Sequence, residues 1–140
     1  IEEHKDKKNP FRFDAAMARW QIDGQTQEVR AVLAEGLKQP KPQIRRNIIG
    51  LLAQLGAEAI PELTEGLDDD DHQVRIYAME SLAALGPAAR SAVPLIEQAL
   101  NDRKYLIRTS AEKALKKIRP ESPARMEAAP AQAQPSRKAP

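Results

Sequence analysis

Residues 61–86, which read PELTEGLDDDDHQVRIYAMESLAALG, contain the pattern that decides the fold. Apolar residues recur at spacings of three or four on both sides of the acidic run 68–71. This spacing is typical of one face of a helix and differs from the two-residue alternation of a strand. The stretch therefore predicts two helices joined by a polar turn, the first over about residues 58–67 and the second over about residues 72–85.

The same arrangement occurs three times in the chain. An apolar anchor, a six-residue gap and an Ile-Arg or Val-Arg pair recur, and successive anchors lie 30 and 33 residues apart. The anchors are Leu37, Leu67 and Leu100, and the pairs are Ile44-Arg45, Val74-Arg75 and Ile107-Arg108. A helix pair this short cannot bury its apolar stripe alone, but stacked pairs share one continuous core. The repeat therefore predicts an all-α fold, an α-solenoid of about three helical hairpins.

Several residues mark where the predicted helices begin and end. Asp71 stands three residues before Val74 and is well placed as an N-cap, because its carboxylate can accept hydrogen bonds from first-turn amides. Gly56 and Gly86 follow the second helices and suit a left-handed C-terminal cap. Two prolines either start the first helices of their repeats or kink them, since proline tolerates a first turn and disrupts an interior. They are Pro61 and Pro94.

The segments outside the three hairpins differ from them in composition. Aligning Gly24 with Gly56 predicts one more helix, a capping half-repeat with Trp20 in the core. Residues 1–10 are polar and predict a flexible end, and residues 120–140 are rich in Pro and Ala and predict a disordered tail. The predicted domain therefore spans residues 11–119, with a half-repeat at 11–25 and repeats at about 26–56, 57–86 and 87–119.

The repeats resemble the short bacterial HEAT-like repeat, also called the phycobilisome-lyase type. The resemblance lies in P61-E-L-T-E-G-L67 followed by V74-R-I-Y-A-M-E-S-L-A-A-L-G86, and in P94-L-I-E-Q-A-L100 followed by I107-R-T-S-A-E-K-A-L-K-K-I118. It covers about residues 26–119, although the first copy lacks the proline and has Gln39 and Lys41 where the second has Asp69 and Asp71. It implies a superhelix in which the second helix of each hairpin, helix B, lines the concave side.

The resemblance also implies structural roles for the Asp and Arg residues of the turns. Asp69 and Asp102 are expected to form a ladder with Arg75 and Arg108 that bridges neighbouring repeats, and we expect Arg45 to extend it. Arginine suits this role because its five donors can satisfy turn carbonyls and a carboxylate together.

The composition excludes most kinds of active site. Cysteine is absent and only two histidines occur, which excludes thiol chemistry and argues against metal sites and His-based catalysis. The run 68–71 lacks the spacing of a calcium loop and is interpreted as a solvated turn. Glu58, Glu62 and Glu65 share one helix face and are interpreted as solvated surface. We therefore expect no catalytic residue, no metal and no cofactor, although enzymatic activity is not excluded.

Charge varies sharply from repeat to repeat. The net charges are +3 for residues 26–56, −7 for residues 57–86 and +5 for residues 87–119. An acidic block in the middle argues against a continuous basic groove for nucleic acid. No apolar run approaches the length of a membrane span. The chain starts at Ile1, so we expect a fragment or a processed product; a soluble, cytoplasmic protein is favoured, and export after signal cleavage stays open.

The HEAT-like fold predicts a binding surface on the B helices. The residues expected to contact a partner there are Arg46, Tyr77, Glu80 and Lys113, with Tyr77 the leading candidate because exposed tyrosines often anchor interfaces. The first hypothesis is a non-enzymatic interaction or scaffold module for another protein or a neighbouring domain, of undetermined oligomeric state. The alternative, from the resemblance, is a lyase-type protein that handles an open-chain tetrapyrrole. A third hypothesis, similarity to HEAT-like DNA glycosylases, conflicts with the acidic second repeat.

Overall fold

Seven α-helices and three short 3₁₀ segments form the part of the chain that the computed structural model describes, which is Asn9 and residues 11–120. The α-helices are α1 (Arg12–Asp23), α2 (Thr26–Gly36), α3 (Pro42–Gln54), α4 (Ile60–Glu65), α5 (His72–Ala84), α6 (Val93–Ala99) and α7 (Tyr105–Ile118). The 3₁₀ segments are Gly56–Ala59, Gly66–Asp68 and Gly86–Ala92. The predicted tail from residue 121 and the predicted flexible end, apart from Asn9, lie outside the described residues.

The helices pair into three hairpins, α2–α3, α4–α5 and α6–α7. In each hairpin the first helix is helix A and the second is helix B. Helix α5 packs against α3 on one side and α7 on the other, so the three B helices form one layer. Helix α1 precedes the first hairpin and packs against α2. The all-α solenoid with an N-terminal helix, which the repeat predicted, is confirmed.

Glycines and prolines set the ends of these helices. Gly24, Gly56 and Gly86 follow α1, α3 and α5 and adopt positive φ angles of 69°, 72° and 63°. This left-handed conformation carries little strain in glycine and lets the chain turn away from the helix. Pro61 and Pro94 lie in the first turns of α4 and α6, so they start these helices and do not kink them.

The predicted apolar stripe forms one core that runs through all three hairpins. Its helix A residues Leu33, Leu63 and Ile96 are fully buried, each with 0% exposure. Its helix B residues are buried as well, except Leu85, which is half-buried. The anchors Leu37, Leu67 and Leu100 are also half-buried and pack against the core from its edge. Each hairpin therefore contributes to a core that its neighbours complete.

Helix α1 buries less of its predicted apolar stripe than α3 and α5 do. Trp20, predicted to be a core residue, is only half-buried, and its indole Nε1 donates to Thr26 Oγ1 at 3.1 Å. Phe13 and Met17 are the buried residues of this helix. The reason is that α1 stands at the end of the described stack, where a helix packs against it on one side only. Among the described residues, no helix is both long and apolar enough to cross a membrane.

Candidate interaction surface

The turns between helices A and B carry a row of arginines and aspartates, which we call the turn ladder: Arg45, Asp69, Arg75, Asp102 and Arg108. Arg45 Nε and Nη2 donate to the two carboxylate oxygens of Asp69, at 2.8 and 3.0 Å. Its Nη1 donates to the carbonyls of Gln39 and Pro40, at 2.7 and 3.1 Å. One guanidinium thus holds its own turn and the turn of the next repeat.

The same arrangement continues along the turn ladder with one longer ion pair. Arg75 Nη1 donates to the carbonyls of Asp69 and Asp70 at 2.6 and 3.3 Å, and its Nη2 lies 3.8 Å from Asp102 Oδ2. Arg108 Nη1 donates to the carbonyl of Asp102 at 2.7 Å. The structure therefore brings together all five residues that were assigned to the ladder from the sequence.

Carboxylates of the turns also cap backbone amides. Asp71 Oδ1 accepts from the Val74 amide at 3.0 Å, the N-cap bond of α5. Desolvation by burial would raise the pKa of Asp71, but hydrogen bonds from the amides of Val74 and Gln73, together with the nearby charge of Arg46, outweigh it, so this pKa is lowered. The hydrogen bond to Asp69 does most to raise the pKa of Arg45, which keeps that guanidinium charged.

These contacts determine what the turn ladder can do chemically. Its guanidinium donors face carbonyls and carboxylates of the chain itself, and Asp69 additionally accepts from the Asp71 amide at 2.9 Å. Within the described residues, no group of three or more His, Cys, Asp or Glu side chains could hold a metal ion. In the acidic turn at residues 68–71, the carboxylates of Asp69 and Asp71 therefore bond groups of the chain itself.

A groove lies between the B helices α3 and α5, on the face where the sequence predicted a partner. We call it the inner groove; its volume is about 700 Å³. Residues of α3 and α5 line it: Gln43, Arg46, Asn47, Ile49, Gly50, Ala53, Tyr77, Glu80, Ser81 and Ala84. Gly50, Ala53 and Ala84 are small and leave the groove open, and they make part of its surface apolar. The polar residues in its lining are Gln43, Arg46, Asn47, Glu80 and Ser81.

Three of the four predicted contact residues line the inner groove. Tyr77 is 41% exposed, Glu80 is exposed beside it on α5, and Arg46 stands on α3. The Nε atom of Arg46 is buried without a hydrogen-bond partner, unlike the Nε of the adjacent Arg45. Lys113 is exposed on α7 and does not line the groove, because the groove ends at α5.

Gly50 gives the inner groove part of its depth. It lies inside α3 and is exposed, and no heavy atom lies within 4 Å of the position that a Cβ would occupy there. Glu80 and Lys113 stand at the matching positions of α5 and α7. The first repeat therefore lacks a side chain where the other two have a long charged one.

One ion pair on the opposite side of the solenoid contradicts the sequence interpretation. Glu62 was expected on a solvated face with Glu58 and Glu65, which are indeed exposed, but Glu62 is buried with 9% exposure. Its Oε1 accepts from Arg30 of α2 at 3.0 Å, and its Oε2 is buried without a partner. Helix A thus has a second buried side, which faces helix A of the preceding repeat.

Comparison with known proteins agrees with this architecture. The HEAT-repeat family model matches residues 3–83 and again residues 60–131. The chain is also 36% identical over 83 residues to an uncharacterized phycocyanin operon protein Z of Pseudanabaena tenuis. That alignment covers 59% of this chain and 40% of the relative. From the family match, with the stacked hairpins and their turn ladder, we conclude that the chain belongs to the HEAT-repeat family.

Proposed function

We propose that the chain is a non-enzymatic protein-binding module that holds a segment of a partner protein in the inner groove. HEAT repeats commonly act as helical scaffolds for protein interactions, which supports the general role. The observation that carries the specific proposal is the contrast between used and unused polar groups. Arg45 of the turn ladder bonds within the chain through all three guanidinium nitrogens, whereas Arg46 on the wall of the groove has a buried Nε without a partner.

The chemistry of the inner groove supports a mixed polar and apolar contact. Arg46 offers donors for a carboxylate or carbonyl of the partner, and Glu80 offers an acceptor. Tyr77 supplies a ring that keeps only two rotatable torsions, so immobilising it on binding costs little conformational entropy. Lys113, on α7, would contact only a partner segment that extends beyond the groove. Tyr77 and Arg46 are accordingly the two proposed anchors.

Gly50→Leu tests the proposal by filling the groove. A leucine at this position meets no neighbouring atom at its Cβ and should not disturb the fold. The control is Gln54→Leu, which adds the same side chain at an exposed position of α3 outside the groove. Affinity capture with mass spectrometry, with tagged chains in the source cells, should recover a partner with wild type and with the control but not with Gly50→Leu. Equal recovery with all three chains would exclude the inner groove as the site.

The second candidate function is the handling of an open-chain tetrapyrrole. It is favoured by the alignment with a protein whose name ties it to a phycocyanin operon, and that alignment covers only 40% of the relative. The low aromatic content, 4% of the chain, argues against it. Adding a bilin and recording its absorption spectrum separates the two candidates. A red-shifted band with wild type that Gly50→Leu abolishes supports pigment handling in the groove, whereas an unchanged spectrum rejects it.

A further inference from the structure

Helix α1 has the features of a helix B whose helix A is absent from the described residues. In α3 and α5, the fourth and eighth residues before the positive-φ glycine are 0–1% exposed; they are Leu52 and Ile48 in α3, and Leu82 and Ala78 in α5. The same count from Gly24 gives Trp20 and Ala16, which are only half-buried. The stripe that α3 and α5 bury is therefore partly open on α1.

In complete hairpins, helix A covers this stripe. The Ile48 side chain would lie 2.5 Å from a Cβ at Gly36, the last residue of α2, so these two helices are in close contact. Gly66, which follows α4, would place its Cβ 3.0 Å from that of Ala78 on α5. Among the described residues, no helix occupies the matching position beside α1.

The position that such a helix would occupy is a groove between α1 and α2, which we call the end groove. Its volume is about 550 Å³, and its apolar lining includes Ala16, Trp20, Val29 and Val32. Its α1 edge carries Arg12 and Arg19, with Asp23 paired to Arg19 at 3.1 Å, and its α2 edge is acidic at Glu28 and Glu35. The ion pairs between these edges are 3.4 and 3.5 Å long and partly exposed, so rearranging them costs little.

Val32 connects the end groove to an interface that the solenoid already contains. Thirty residues further along the repeat, the matching position is Glu62 on α4. Glu62 faces the preceding helix A, since its carboxylate lies 2.9 Å from Arg30 Nη2 of α2. The side of α2 that bears Val32 thus corresponds to the side of α4 that contacts α2.

We propose that the end groove is a docking site for one amphipathic helix of a partner protein, with the apolar spacing of a helix A. Its apolar stripe covers Trp20, Ala16 and Val32, as Gly66 at the end of α4 packs on Ala78. Acidic residues on one flank match Arg12 and Arg19, and basic residues on the other match Glu28 and Glu35. This site is separate from the inner groove, and the proposal does not depend on what that groove binds.

A duplicated helix A tests the end groove, because the chain supplies a fitting sequence. The variant carries a second copy of residues 87–104 inserted between Asn9 and Pro10 of the full chain, which reproduces the spacing of the third repeat. Trp20 is the single tryptophan, so its fluorescence reports on this groove alone. Docking shifts the Trp20 emission to shorter wavelength and raises the unfolding temperature by roughly 5 °C or more.

Two controls separate docking from a general effect of added residues. In the first, the inserted copy alone carries Leu95→Asp and Ile96→Asp; in the second, the insertion is combined with Val32→Asp in the original chain. Both should remove the emission shift and the gain in unfolding temperature. An insertion variant with the emission and unfolding temperature of the unmodified chain, or of its Asp controls, overturns the proposal.

Two further measurements keep the proposal testable if the insertion prevents folding. A synthetic peptide of residues 87–104, titrated against the unmodified chain, should produce a saturable blue shift of Trp20; a flat titration up to millimolar peptide overturns docking. Light scattering tests whether a second copy of the chain fills the groove instead. A dimer that Val32→Asp dissociates would assign the end groove to self-association and overturn the proposal.

Discussion

Arg45 and Arg46 are neighbours in the sequence, yet they belong to two regions with opposite hydrogen bonding. Arg45 lies in the turn ladder. Its Nε and Nη2 donate to the Asp69 carboxylate, and its Nη1 donates to two carbonyls of the turn. Arg46 lies on the wall of the inner groove, and its buried Nε has no partner. The comparison shows that folding pairs the guanidinium of Arg45 completely and leaves one buried donor of Arg46 unpaired.

The core beneath both regions should give the largest effect of a single substitution. Leu82 has 0% exposure, and Leu82→Ala removes its side chain from the centre of the second repeat. We expect a loss of about 2–5 kcal/mol in the free energy of unfolding, measured by urea denaturation, because a cavity remains. A neutral result would show that the stripe assigned to helix B is not the core, and both regions would then need a new assignment.

Capping in the turns should give an intermediate effect that depends on pH. Asp71→Ala removes the acceptor for the Val74 amide and should cost about 0.5–2 kcal/mol at pH 7. The pKa of Asp71 is lowered from its ordinary 3.8, so the carboxylate stabilises the fold above that value. This contribution is lost as the pH falls through the folded-state pKa.

The difference between wild type and Asp71→Ala should therefore shrink between about pH 4 and pH 2. Urea denaturation at several pH values measures it. Asp71→Asn is the control, because its amide oxygen can still cap the helix but does not titrate in this range. A difference that stays constant down to pH 2 would mean that ionised Asp71 adds nothing to the stability of the turn.

Gly50→Ala in the inner groove should give a smaller change than these, with the opposite sign. Gly50→Ala places a methyl group in open space inside α3 and should stabilise the chain by about 0.5–1 kcal/mol through helix propensity. Thermal or urea unfolding measures this gain. Destabilisation would indicate that Gly50 is required by the fold, which would remove the argument that the groove is kept open for a partner.

The repeat pattern predicted the hairpins and their anchors because these features recur at one spacing within each copy. The turn ladder was implied by the resemblance to HEAT-like repeats. Contacts between neighbouring copies were less accessible from the sequence. The burial of Glu62 depends on which side of α4 faces α2. The apolar stripe of α4 marks only the side that contacts α5, so it does not reveal this. A basic residue at position 30 was the only available signal.

The candidate site was predictable to a similar extent. The helix B register identified Arg46, Tyr77 and Glu80 as surface residues of one face, and they line one groove. The same register included Lys113, which lies on α7, beyond the end of the groove at α5. The lack of a side chain at Gly50 was visible in the sequence. That it deepens a groove could be seen only once the packing of α3 against α5 was known.

Measuring the stability of Arg45→Ala and Arg46→Ala side by side tests the central claim most directly. Both changes remove the same side chain from the same helix, and urea denaturation gives the free energy of unfolding of each. The account predicts a loss of about 1.5–3 kcal/mol for Arg45→Ala, which breaks charged hydrogen bonds, and less than about 0.5 kcal/mol for Arg46→Ala. Equal losses would contradict the division between a turn ladder that holds the fold and a groove that it leaves open.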